Sequence, residues 1–133
     1  MERKEPYATQ EEFDRRVVRY RDVPLIELVS GTKSHIVSAE KMTVSFLTMD
    51  PNCYFALHRH ESEQIMLVID GACDEIVEGK IYHLEKGDVI ILPPNTEHGG
   101  YISDRGCRVI DIFSPPRQDF VAKLKAVKSG LKT

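Results

Sequence analysis

From Pro24 onward apolar residues alternate with polar ones at a period of two, and β-branched residues accumulate. Alternation places successive side chains on opposite faces of an extended chain, the mark of a half-buried strand. The runs PLIELVS, SHIVSA, KMTVSFLTM, IMLVID, DEIVEG, KIYHLE, DVIILP and CRVIDIFS each read as a strand. Turn signals separate them at Ser30-Gly31, Asp50-Pro51-Asn52, Asp70-Gly71, Glu78-Gly79, Lys86-Gly87-Asp88, Pro93-Pro94-Asn95 and Asp104-Arg105-Gly106. Eight or more short strands at close, even spacing predict a sandwich or a closed barrel.

Helical periodicity is confined to the two ends. Thr9 and Glu12 have the spacing of a capping box, and Phe13 and Val17 lie at i and i+4, which predicts a short helix around residues 10–19. After Pro115-Pro116, Phe120, Leu124 and Val127 recur at i, i+4 and i+7. That stripe suits a helix that closes one end of the barrel or meets a second subunit. The expected organisation is an N-terminal extension with a short helix (1–23), an all-β barrel (24–117), and a C-terminal helix with a basic tail (118–133).

The 133 residues suffice for one domain with its own core. Cys53, Cys73 and Cys107 are odd in number and contain no Cys-x-x-Cys pair, so they read as reduced thiols packed as small apolar residues. The N-terminal run MERKEPYATQEEFDRR lacks the apolar core of a signal peptide, and no run is long enough to span a bilayer, so a cytoplasmic location is expected. Between Glu61 and Asp104 ten acidic residues face only Lys80 and Lys86, which opposes nucleic-acid binding by that region. From Arg117 to Thr133 five basic residues face Asp119 alone, as expected of a solvated basic helix end.

Candidate chemistry centres on His58 and His60. Two residues apart on an extended chain, they direct both imidazoles to one face. With a third histidine from another strand and a side-chain oxygen they can bind zinc, nickel, iron or copper, leaving room for water or substrate. His98, within GDVIILPPNTEHGG, is the candidate third ligand. His35 and His83 have no such partners and read as ordinary strand residues. A second cluster follows in Asp111-Ile112-Phe113-Ser114-Pro115-Pro116-Arg117. Asp111 and Phe113 share a strand face, and the proline bend returns Arg117 toward the same end, where a guanidinium can clamp a carboxylate. An Asp111–Arg117 pair, or Arg117 as a cap of the last helix, explains the same residues without function.

The run HRHESEQIMLVIDG, followed by GDVIILPPNTEH, resembles the two motifs of the cupins, double-sheet jelly-roll barrels with a metal in the lumen. Counting back from Gly71, the usual glutamate position holds Gln64; Gly87, Pro93 and His98 fit the second motif, with Asn95 at its small turn residue. Glu63 becomes the alternative ligand if the strand slips by one. Gln64 leaves a divalent site more positive than a carboxylate would, which favours Lewis-acid over redox chemistry.

The two clusters together resemble the small pectin-degradation cupins that linearise unsaturated monouronates. That resemblance implies a divalent metal (nickel, zinc, iron or manganese) held by His58, His60, Gln64 and His98. It also implies an active site containing Asp111, Phe113 and Arg117 and a small carboxylate substrate. A homodimer is expected because the exposed sheet edges of such a barrel need cover. A metal-dependent oxygenase or lyase on another small acid, and a non-catalytic metal- or sugar-binding barrel, are the competing expectations.

Overall fold

The computed structural model describes residues 2–130; Met1 and the last three residues of the basic tail lie outside the described residues. Eight strands form: β1 (Leu25–Glu27), β2 (Thr32–Ser38), β3 (Thr43–Met49), β4 (Tyr54–His58), β5 (Glu63–Val77), β6 (Lys80–Glu85), β7 (Val89–Leu92) and β8 (His98–Ser114). All pairings are antiparallel. The short helices α1 (Gln10–Arg16) and α2 (Gln118–Lys128) flank them. In α1 the capping box closes from both sides, Glu12 N donating to Thr9 Oγ1 (3.2 Å) and Thr9 N to Glu12 Oε1 (2.8 Å). The helix ends at Arg16, short of residue 19, where Val17 takes extended backbone angles (φ -112°, ψ 128°), and none of its residues is buried.

Two differences from the alternation pattern build the barrel. Tyr54–His58 forms a strand although its burial does not alternate, so it carries no period-two signal. Asp70-Gly71 and Asp104-Arg105-Gly106 do not end strands; they bend the two longest ones, β5 and β8, whose register shifts near Asp70 and Gly71. At the bend Gly71 has φ +78° and packs so closely that a Cβ would lie 2.1 Å from the Gly106 carbonyl oxygen. Only glycine meets both demands.

The bend carries β5 and β8 through both layers. Their halves Glu63–Val68 and Arg108–Ser114 join β1, β2, β3 and β7 in a larger sheet. Their other halves join β4 and β6 in a smaller one. Each bend also reverses which parity faces inward. On β5, Gln64, Met66 and Val68 are buried before it and Cys73 and Glu75 after; on β8, His98 and Ile102 precede it and Val109, Asp111 and Phe113 follow. Ile36, Leu47, Val68, Val109 and Phe113 meet Cys73, Leu84 and Ile102 between the sheets, and Phe120 and Leu124 of α2 extend this core.

Candidate metal centre

His58 is the last residue of β4 and pairs in register with His98, the first of β8. His60 lies two residues past β4, where its carbonyl accepts from Asn95 N at 2.8 Å. The imidazole centroids are 4.3 Å (His58–His98), 4.9 Å (His60–His98) and 5.6 Å (His58–His60) apart. Their ligating nitrogens all fall within 4.8 Å of one another, close enough to hold one metal ion. Arg59, between them in sequence, turns away to bond the Asn95 carbonyl at 3.0 Å.

Each ring is oriented by its other nitrogen. Nδ1 of His58, His60 and His98 lies 2.8 Å from the carbonyl oxygens of Ala56, Ser62 and Thr96 respectively. A carbonyl can only accept, so each Nδ1 holds the proton and each Nε2 presents a lone pair. Burial, followed by the Arg117 charge, lowers the His60 pKa, and burial holds His98 down to about 4, so both rings stay neutral near pH 7.

Gln64, not Glu63, points into the lumen: Gln64 is 6% exposed and Glu63 lies in solvent. Its Nε2 donates to Asp111 Oδ1 at 2.9 Å, and its Oε1 faces His60 Nε2 at 2.9 Å. In this orientation two lone pairs confront each other at hydrogen-bond distance with no proton between them. A cation coordinated by both resolves that contact, so the donor set of three imidazoles and an amide oxygen fits a divalent metal.

The second cluster reaches the same cavity, of about 260 Å³. Asp111 is 4% exposed, and burial pushes its carboxyl up to about 7 against the lowering effects of the Gln64 hydrogen bond and Arg117. Phe113 stands edge-on to His60, with centroids 5.5 Å apart. Arg117 occupies the N-cap position of α2 but makes no capping bond, and it does not pair with Asp111. Its guanidinium donates to both oxygens of Asp119 (3.0 and 2.8 Å) and lies 4.0 Å from the Phe120 ring centroid.

Besides Asp119, two further charged residues that the sequence did not single out, Glu75 and Lys123, line this cavity. Glu75 escapes the pattern because the β5 bend reverses its parity. Lys123, whose Nζ donates to the Leu28 carbonyl at 2.9 Å, is hidden among the lysines of the tail. His35 bonds the Val23 carbonyl, and His83 lies between Asp74 and Glu85; neither joins the three-histidine cluster.

The fold is an antiparallel jelly-roll barrel in whose lumen three imidazoles lie close enough to hold one metal ion. The chain belongs to the cupin family, whose Cupin domain is matched by residues 45–113. It is similar to the pectin degradation protein KdgF of Dickeya dadantii, at 28% identity over 102 residues that span 75% of this chain and 93% of that one. The solved KdgF from Halomonas sp. is similar at 29% identity and TM-score 0.68, covering 73% of this chain and 92% of that one. An RmlC-like cupin from Shewanella frigidimarina is similar at 25% identity and TM-score 0.70, over 90% and 99% of the two chains. Among the described residues no helix is long and apolar enough to cross a membrane.

Proposed function

We propose that this cupin is a metal-dependent enzyme converting 4,5-unsaturated monouronates, from pectin or alginate breakdown, to linear keto-uronates. The observation that carries the reading is Gln64 joining the imidazole cluster to buried Asp111 in a cavity also lined by Arg117. The similarity to a pectin degradation protein supports a substrate drawn from pectin breakdown. A divalent metal held by His58, His60, Gln64 and His98 would supply Lewis-acid polarisation of a substrate oxygen.

The chain's own groups do the rest. Asp111 moves the protons: one to a carbon of the double bond as water adds to the other, and one in opening the resulting hemiketal. Its elevated pKa suits both giving and taking a proton near neutrality. Arg117 holds the substrate carboxylate through its Nη1 donors, since Nε and Nη2 are engaged by Asp119. Phe113 forms an apolar wall beside the ring. Lys123 adds positive charge to the cavity lining.

The test is loss of ultraviolet absorbance from the conjugated double bond, with metal-loaded and chelator-stripped protein side by side. Metal-dependent acceleration over the spontaneous reaction is expected. No acceleration by protein with metal bound refutes the reading and favours a non-catalytic binding barrel.

The same reading includes a homodimer. The outer face of the larger sheet carries two cross-strand rows, Ile91–Ile65–Ile112 and Val89–Leu67–Ile110. Ile91 is 65% exposed and Val89 53%. Such a contiguous apolar patch suits an isologous contact with a second copy. Light scattering is expected to give a dimer for the wild type and a monomer for the Ile65→Glu, Ile91→Glu double variant; a monomeric wild type at micromolar concentration contradicts it.

A further inference from the structure

Besides the carboxyls of Asp111 and Asp119, the cavity holds a third, which this chemistry does not use. Glu75 is 7% exposed, lines the same space as Gln64, His98 and Asp111, and has no hydrogen-bond partner among the described residues. Among the described residues no wholly buried side-chain oxygen or nitrogen lacks a partner, so the Glu75 oxygens touch the open space of the cavity. An enclosed carboxyl without a protein partner is costly to keep unless a ligand or solvent hydroxyl bonds it.

The strand beside Glu75 leaves room for that carboxyl. Glu75 pairs across the smaller sheet with Gly100, two residues along β8 from His98 and on the same inward face. A Cβ at Gly100 would stand 3.2 Å from Glu75 Oε1 and 2.9 Å from the Asp74 carbonyl oxygen. At Gly99 a Cβ would stand 2.5 Å from the Phe55 carbonyl oxygen. The His-Gly-Gly run therefore supplies an imidazole, the close approach of β4, and the recess in which the Glu75 carboxyl lies. Asp111 and Phe113 project from the larger sheet, so a ring between them and Glu75 is held from both layers.

Charge is no obstacle to an acidic ligand. Burial, with the Asp111 charge second, pushes the Glu75 carboxyl up to about 8, so it is protonated at neutral pH. A neutral carboxyl both donates and accepts, the pattern that complements a hydroxyl, and it does not repel an anion held by Arg117.

We propose that Glu75 is a ligand-binding residue that hydrogen-bonds a ring hydroxyl of a polyhydroxylated sugar acid, setting the orientation of the ring in the cavity. The class of ligand rests on the uronate reading above; the recess and the unpartnered carboxyl do not. Removing such an acceptor costs affinity only for ligands that carry the hydroxyl.

Metal-loaded wild type, Glu75→Leu and Glu75→Gln are titrated calorimetrically with galacturonate and with cyclohexanecarboxylate, which keeps the carboxylate and loses the hydroxyls. Metal content is measured on each protein. Glu75→Leu is expected to weaken galacturonate at least tenfold and leave cyclohexanecarboxylate unchanged, while Glu75→Gln, which can donate and accept, stays near wild type. Glu75→Met serves as the second deletion if the leucine variant does not fold. Equal losses for both ligands, no loss for either, or a wild type that binds galacturonate no better than cyclohexanecarboxylate overturns the proposal. Turnover of an unsaturated monouronate by the wild type is scored separately. Selective loss of galacturonate without wild-type turnover sinks the uronate reaction and leaves the Glu75 site standing; turnover without selective loss does the reverse.

Discussion

Asp111→Asn is expected to lower turnover of an unsaturated monouronate by roughly 10²–10⁴-fold while metal content and thermal unfolding remain at wild-type values. The substitution separates geometry from proton transfer. Asparagine has the volume of aspartate, and its Oδ1 can accept from Gln64 Nε2 as Asp111 Oδ1 does at 2.9 Å, so Gln64 stays aimed at His60. At 4% exposure a neutral amide is also less costly to bury than a carboxylate, which removes any reason for the fold to weaken. Only the transferable proton is lost. Initial rates from the ultraviolet signal, set beside metal analysis of the same preparation, decide the matter. An unchanged rate removes the acid/base role, and loss of metal together with activity would make Asp111 a positioning residue for Gln64 instead.

Which residues could be read from the chain follows from where the strands are straight. His58 and His98 sit at strand ends whose spacing survives folding, and Gln64 is on the regular half of β5, so counting along the sequence reached them. Asp111 and Phe113 lie on the regular half of β8, where a period of two holds. Glu75 lies beyond the β5 bend, and a period extended from Gln64 would assign it to the outer face. Turn chemistry at Asp70-Gly71 was legible, but the same residues serve a hairpin or a bend within a strand, and only the close approach of Gly106 decides between them. Arg117 was placed near the right end of the barrel, yet its pairing with Asp119 depends on where α2 begins. Lys123 enters the cavity because α2 packs on β1 and β2, a tertiary relation with no local signal.

Loss of the metal should be visible in stability as well as in activity. His98→Ala is expected to weaken metal binding by well over the roughly 10–100-fold typical of losing an outer hydrogen-bond partner, because it removes a ligand itself. A site saturated at about 100 times its dissociation constant adds about 2.7 kcal/mol to the folded state, which for a domain of this size raises the melting temperature by roughly 10 °C. The wild type should therefore melt lower after chelation and recover when metal is restored. His98→Ala should remain folded and melt at one temperature in both conditions, since Val68, Val109, Phe113 and the rest of the core pack without the ion. Chelation leaves the Gln64 Oε1 and His60 Nε2 lone pairs opposed, a cost already contained in the affinity for the metal. His83→Ala is the control: an exposed histidine on β6, between Asp74 and Glu85, should keep the full metal response. A wild type whose melting does not respond to metal, or a His83→Ala variant that loses the response, would place the binding site elsewhere.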